Sequence, residues 1–411
     1  MKRAEYGWIV VATLCVTETV SWGIVYYSFP VFLQAMEQDL AVSRVAITGA
    51  LSLALAISAL AALPVGRWID RRGARGLMTA GSCLAFVLLI AWSRVHSLGA
   101  LYAVWCAMGV AMAMILYQPA FAAVVQWFPR NRERALLTVT LAAGFASTIF
   151  MPVAAWLLAW IGWRAAVNAL AVVLAAVTIP AHALILRAPD GLGRTADTGG
   201  HVATDATLGT ALRHGVFWVL ALAFAFGSFT VVSLNIHMIP YLGQHGYSTR
   251  LAASIVGWIG GMQVPGRLLF VPITAWLGAV WVTGSLFFAE AAAMALLAAG
   301  ALGAGLVPMI LLFGAAAGML TLAQATAVAD IWGRRHYASI AGAMAIPGQL
   351  ARALGPVGST LLYMWLGGYA RVFWILAAAL AITGTIVLVT EHRAQTHAAA
   401  PGRGAASVPN S

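Results

Sequence analysis

Ten residues, Gly66-Arg67-Trp68-Ile69-Asp70-Arg71-Arg72-Gly73-Ala74-Arg75, hold five charges in a chain of which only 9% is charged. A stretch of this kind can make and break ion pairs and charge-assisted hydrogen bonds. Gly66 and Gly73 permit φ > 0 and a tight reversal at a membrane surface. Asp70 is the one acid there, with Arg71 and Arg75 beside it. Inside the apolar runs, side chains that can do chemistry are few. Glu18 lies in the first run, and Trp22 and Tyr26 follow four and eight residues on, which sets all three on one helical face. An ionisable group at bilayer depth costs about 2.5–3.5 kcal/mol on insertion scales and usually faces a cavity. Glu18 could therefore line one as a protonatable carboxyl, or stay neutral against a neighbouring helix. Glu290 is the other acid placed in mid-run.

Arg352 has Gln349 one turn before it and Gly355-Pro356 just after. Its guanidinium can clamp a carboxylate through two parallel hydrogen bonds, or pair with Glu18, Glu290 or helix carbonyls to lock a bundle. Gln263 and Arg267 sit four residues apart around Pro265, and Gln118 precedes Pro119. Asn235 and His237 share one run, and Thr321 and Gln324 share a face of another. Such neutral groups either contact a substrate or hold helices together. His182 reads as structural. No G-x-S-x-G, H-E-x-x-H or G-x-x-x-x-G-K-[ST] motif occurs, so neither an enzyme nor a nucleotide-driven pump is expected. No cofactor and no metal site are expected. Cys15, Cys83 and Cys106 lie in apolar runs without C-x-x-C spacing, as buried free thiols do.

The elements that must position these groups are membrane spans. Hydrophobic residues make up 62% of the 411-residue chain and charged ones 9%, against roughly 25% charged residues in an ordinary soluble domain. The first apolar run is too long for the core of a cleaved signal. Twelve stretches reach the length needed to cross a bilayer: 7–32, 45–63, 77–92, 98–125, 135–160, 165–186, 216–242, 251–270, 280–300, 307–329, 339–365 and 372–389. Residues 187–213 read as a linker between two six-helix halves, 1–186 and 214–390, and 391–411 as a disordered tail. With both termini in the cytoplasm, 16 of the 23 basic residues fall on the inner side. The positive-inside rule selects that topology, and the net charge of +11 then reflects topology rather than nucleic-acid binding. The halves echo each other. Pro64-Val65-Gly66-Arg67 answers Val264-Pro265-Gly266-Arg267, and Trp160-Ile161-Gly162 answers Trp365-Leu366-Gly367.

The spacing G-x-x-x-D-R-x-G-x-R from Gly66 to Arg75 resembles the signature loop between helices 2 and 3 of the major facilitator superfamily. Tyr6-Gly7-Trp8-Ile9-Val10-Val11, Ser43-Arg44 and Gln263-Val264-Pro265-Gly266-Arg267 look like its bacterial monocarboxylate-porter-like branch. This resemblance implies that spans 1, 4, 7 and 10 surround a cavity and that span 9, with Glu290, supports them from outside. It also implies a proton-carrying aspartate where Gln263 stands and a lysine near Tyr26. Arg267 carries over as a substrate-anion contact, and Glu18 is the candidate for the missing proton site.

The expectation is an all-α membrane protein of twelve helices with the major facilitator fold. It would work as a monomeric secondary transporter in the bilayer of the cell inner membrane, by symport or antiport. Proton-linked movement of a small organic anion such as a monocarboxylate leads. Efflux of amphipathic drugs or metabolites is the alternative, cued by Trp22, Tyr26, Met112, Met114 and Met151; a sensor on a transporter fold is a third. The substrate-binding set is Glu18, Trp22, Tyr26, Gln118, Asn235, Gln263, Arg267, Gln324 and Arg352. The gating set is Gly66, Asp70, Arg71, Gly73 and Arg75, with Asp70 expected to meet the start of span 11 near Ser339, since helix N-termini attract anions.

Overall fold

A computed structural model describes residues 3–128, 131–187 and 206–399. Lys2, Arg130, Arg194 and Arg403, most of the linker and the end of the tail lie outside them. Among the described residues every regular element is helical. In chain order these are α1 (Arg3–Ser21), a π-helical turn (Trp22–Tyr27), α2 (Ser28–Leu40), α3 (Arg44–Arg72), α4 (Ala74–Trp92), α5 (Leu98–Ile115) and α6 (Tyr117–Trp127). There follow α7 (Arg132–Gly144), α8 (Ala146–Ile185), α9 (Leu208–Arg213), α10 (Gly215–Gln244), α11 (Thr249–Leu277) and α12 (Ala279–Ala298). A 3₁₀ turn (Gly303–Gly305), α13 (Leu306–Trp332), α14 (Tyr337–Leu366) and α15 (Tyr369–Ala399) complete the order.

Nine stretches among the described residues are long and apolar enough to cross a membrane. One of them, Arg132–Ile185, spans 54 residues, about 80 Å if straight, against a hydrocarbon layer of about 30 Å. It turns back at Gly162 (φ 75, ψ 162) and so supplies two spans. α11 and α14 are 29 and 30 residues long, and Gln263 with Arg267, and Gln349 with Arg352, lower their hydropathy. With these the twelve expected spans are present. Several run further than their apolar cores. The first continues from Arg3 to Leu40, the second reaches Arg72, and the last continues through Ala399, so residues 391–399 are helical rather than disordered.

The repeat is visible in backbone geometry. A spacing of 205 residues separates the N-caps Ser43 and Ser248, whose hydroxyls accept from Ala46 N and Leu251 N. The same spacing separates Gly73 (φ 78, ψ 172) from Gly278 (φ 84, ψ 150), each closing a helix of 29 residues. Only glycine holds such backbone angles without strain. Gly162 and Gly367 (φ 75 and 68) repeat it again. So do two close approaches: a Cβ on Gly109 would lie 2.3 Å from Ala54 O, and one on Gly314 would lie 2.6 Å from Ile259 O. Helices associate in lipid through such small residues. This register corrects one expected echo. Gly66 and Gly266 are 200 residues apart, five short of the structural spacing, and so are not equivalent.

The described chain forms two compact units, Met1–Ala211 with Gln324–Pro356, and Leu212–Ala323 with Val357–Ser411. The last turns of α13 and most of α14, from its start, belong to the first, where side chains of α3 and α7 bind them, as described below. The first unit centres on Phe29, Phe32, Trp92 and Trp105, with Trp92 and Trp105 edge to face at 5.0 Å. On one of its faces Arg164 binds Asp39 Oδ2 (2.6 Å), Ser93 O and Val95 O. In the second, α12 packs on α15 at Gly284 and Gly384, and Tyr241 donates to Leu297 O (2.9 Å).

Candidate functional site

The ten-residue charged stretch is mostly helix rather than loop. α3 continues through Gly66, Asp70 and Arg71 to Arg72, and the reversal is confined to Gly73. A helix of 29 residues is about 44 Å long, so its end clears the hydrocarbon layer and carries its arginines into water. Gly66 serves close approach instead of φ > 0: a Cβ there would lie 2.2 Å from Ala338 O. That contact brings Asp70, one turn on, to the start of α14. Asp70 Oδ1 accepts from Ala338 N (3.0 Å) and Oδ2 from Ser339 N (2.9 Å). First-turn N–H groups have no partner within their own helix, and the helix dipole favours an anion there. The arginines go elsewhere. Arg72 stacks on Trp68 with its guanidinium 4.4 Å from the ring, Arg75 Nε donates to Ala183 O (2.6 Å), and Arg71 is exposed.

A second tie, missed in the sequence, joins Arg132 at the start of α7 to Asp330 near the end of α13 as an ion pair. Tyr337 lies buried beside Arg132; burial pushes its phenol up, and the Arg132 charge pulls it partly back. The cue was Asp330 itself, an acid closing an apolar run, with the basic cluster Arg130–Arg134 to face it.

Arg352 stands at the middle of α14, at bilayer depth, yet is open to solvent. Tyr26 and Tyr27 lie within electrostatic reach of it. Among the described residues it makes no ion pair, so it does not lock the bundle through Glu18 or Glu290. The π-helical turn sets the aromatic wall. It widens the helix from Trp22 to Tyr27, one turn ahead of Pro30, which lacks the N–H for an i−4 bond. Tyr26 and Tyr27 then both gather on Trp22, with ring centroids at 5.4 and 6.3 Å, and Tyr117 joins at 4.9 Å. The simple i+4, i+8 stripe missed Tyr27 and Tyr117.

Tyr117 opens α6. The fourth span breaks at Leu116 (φ −91, ψ −166), because Pro119 has no N–H for the Ile115 carbonyl. α6 therefore starts at Tyr117-Gln118 inside the membrane and points a positive dipole end at the aromatic wall. Discontinuous helices of this kind bind anionic groups in transporters.

Glu18 is fully buried rather than cavity-lining. Its two carboxyl oxygens accept no hydrogen bond, and the Trp22 indole approaches without hydrogen-bond geometry. Gln118 and Gln324 are half-buried within the first unit. The second unit holds Asn235, exposed, Gln263, half-buried, and Arg267, buried. His237 there bonds Ser359 Oγ (2.9 Å). Glu290 is fully buried, and the position a Cβ would take on Gly227 lies 3.7 Å from its Oε2. His182 bonds Ser82 Oγ (2.9 Å), a structural use.

A sequence model of the Major Facilitator Superfamily matches residues 14–356. The oxalate:formate antiporter of Oxalobacter formigenes is 28% identical over 234 residues, which is 56% of this chain and 54% of that protein. The match thus spans about half the length of that relative. The human organic anion transporter MFSD10 (TETRAN) superposes with a TM-score of 0.74 at 16% identity, covering 94% of this chain and 100% of that one. The Escherichia coli fucose:proton symporter FucP gives 0.72 at 13%, covering 93% and 98%. At these identities the likeness is one of fold.

Proposed function

Since the chain belongs to the Major Facilitator Superfamily, a family of multi-pass membrane transporters and not of enzymes, we propose that its cargo is a small organic anion of the monocarboxylate type. Arg352 carries this reading: an arginine in mid-helix of a membrane span, exposed, within electrostatic reach of Tyr26 and Tyr27 and without a carboxylate partner among the described residues. Its planar fork matches a carboxylate in two parallel hydrogen bonds. The N-terminus of α6 adds a second source of positive potential beside Trp22 and Tyr26. The antiporter relative, named for oxalate and formate, supports the same class of cargo.

Transport proceeds by alternating access, driven by a proton carried on Glu18 when no other cation occupies that carboxylate. In this reading Asp70 is a latch on the cytoplasmic side, holding α3 against α14 while that side is closed. Gly66, Arg71, Gly73 and Arg75 shape the latch. The protein sits as a monomer in the inner membrane with both termini in the cytoplasm, its halves 1–186 and 214–390 joined by 187–213. One observation favours efflux of amphipathic compounds instead: Trp22, Tyr26, Tyr27 and Tyr117 form a continuous aromatic surface. Met112, one of the cues for that alternative, is buried in the core.

Uptake into proteoliposomes of a panel of labelled organic acids, with and without a pH gradient, decides between them. Saturable uptake or counterflow of one acid is expected. Transport of amphipathic compounds with no acid moved would reverse the assignment.

A further inference from the structure

We propose that Thr17, Glu18 and Ser21 form a site for a dehydrated monovalent cation, Na⁺, within the first helical rod; this rests on, and deepens, the reading of Glu18 as the coupling carboxyl. All three side chains are fully buried. Thr17 Oγ1, Ser21 Oγ and both Glu18 carboxyl oxygens have no hydrogen-bond partner. The hydroxyls are the telling feature. In a membrane helix a Ser or Thr hydroxyl ordinarily donates to the carbonyl four residues back. Thr13, Thr19 and Ser28 on the same rod do so, to Ile9 O, Cys15 O and Ile24 O at 2.8, 2.7 and 2.6 Å. Thr17 and Ser21, one turn apart, do not. Their lone pairs, and those of the carboxyl between them in sequence, remain open to a ligand at a depth where an unmet polar group is costly.

Charge selects the ligand. Two neutral hydroxyls and one carboxylate carry a single negative charge, which a monovalent cation balances and a divalent ion would overshoot. Hard oxygen donors suit an alkali ion. Among the described residues packed against α1, no side-chain cation takes this role. On the helices packed against α1, Arg132 pairs with Asp330, Arg164 with Asp39, His182 binds Ser82, and Arg134 is exposed. The π-helical turn begins at Trp22, directly after Ser21, and such turns mark functional sites.

The test is thermal unfolding of the purified full chain in NaCl, KCl and choline chloride at equal ionic strength, with ²²Na⁺ binding measured alongside. Na⁺ is expected to raise the midpoint saturably by a few degrees over choline, by linkage. Glu18→Gln and the double variant Thr17→Val/Ser21→Ala are expected to lose that rise. Should either variant fail to fold, ²²Na⁺ binding to the parent decides alone. Equal midpoints in all three salts, with no saturable ²²Na⁺ binding, overturn the site. Sodium-free, pH-driven anion uptake alongside that result would leave the transport reading standing. Saturable Na⁺ binding by a protein that moves no organic anion would keep the site and remove the transport reading.

Discussion

Asp70 and Ser339 lie 269 positions apart in sequence and are joined by a 2.9 Å hydrogen bond from the Ser339 amide to the Asp70 carboxylate. The bond stays with the backbone of α14, so no substitution at position 339 except proline removes its donor.

Asp70→Asn keeps one acceptor and loses the charge. Hydrogen bonds to charged groups are worth about 1.5–3 kcal/mol, and Asp70 is only half-buried, so the lower end applies. The expected outcome is a folded, membrane-inserted protein whose transport falls about tenfold. Wild-type turnover by a purified, monodisperse variant would remove the latch from the mechanism.

Gly66→Ala and Gly76→Ala separate backbone contact from helix propensity. The alanine methyl at 66 would meet the Ala338 carbonyl at 2.2 Å, whereas nothing lies within 4 Å at 76. Gly66→Ala is expected to part α3 from α14, lowering both the unfolding midpoint and transport. Gly76→Ala, inside α4, is expected to be neutral or to stabilise by up to about 1 kcal/mol. Equal midpoints for the two variants would contradict the close packing at Gly66.

Glu18→Gln removes the ionisable group and leaves its shape. Accumulation driven by an ion gradient should disappear while counterflow exchange of the anion continues. Gradient-driven accumulation that survives the change would place the coupling ion elsewhere.

Arg352→Lys keeps the charge without the fork, and Arg352→Ala removes both. Substrate-induced thermal shift should fall in the lysine variant, by about tenfold in affinity for the loss of one charged hydrogen bond, and vanish in the alanine variant. A parent-sized shift in the alanine variant would move the cargo assignment to the efflux alternative.

The twelve spans and their repeat were legible because both rest on signals that sequence carries directly, run length and glycine position. Gly73 and Gly278 mark their turns without any knowledge of contacts. Where Asp70 finds its partners could also be reasoned, since a helix start is an anion site wherever it lies. The rest depended on the path of the backbone. Nothing local distinguishes Gly66 as a packing glycine from Gly66 as a turn. The π-helical turn moved Tyr27 into the aromatic wall, an effect invisible to a fixed period of 3.6. The break at Leu116 was hinted at by Pro119, yet Pro64 stands inside α3 and Pro240 inside α10 without interrupting them. The similarity of Pro64-Val65-Gly66-Arg67 to Val264-Pro265-Gly266-Arg267 misled, because a short chemical likeness outweighed a five-residue slip.

The 205-residue register bears on how the chain divides its work. Positions it equates keep glycine where the backbone demands it, at 73 and 278, 109 and 314, 162 and 367. Positions where chemistry is concentrated have parted: Asp70 answers to Ala275, Pro119 to Gln324 and Arg352 to Ser147. One backbone plan used twice, 205 residues apart, accounts for both. The shared plan keeps the scaffold alike in the two copies and leaves each free to carry a separate share of the work.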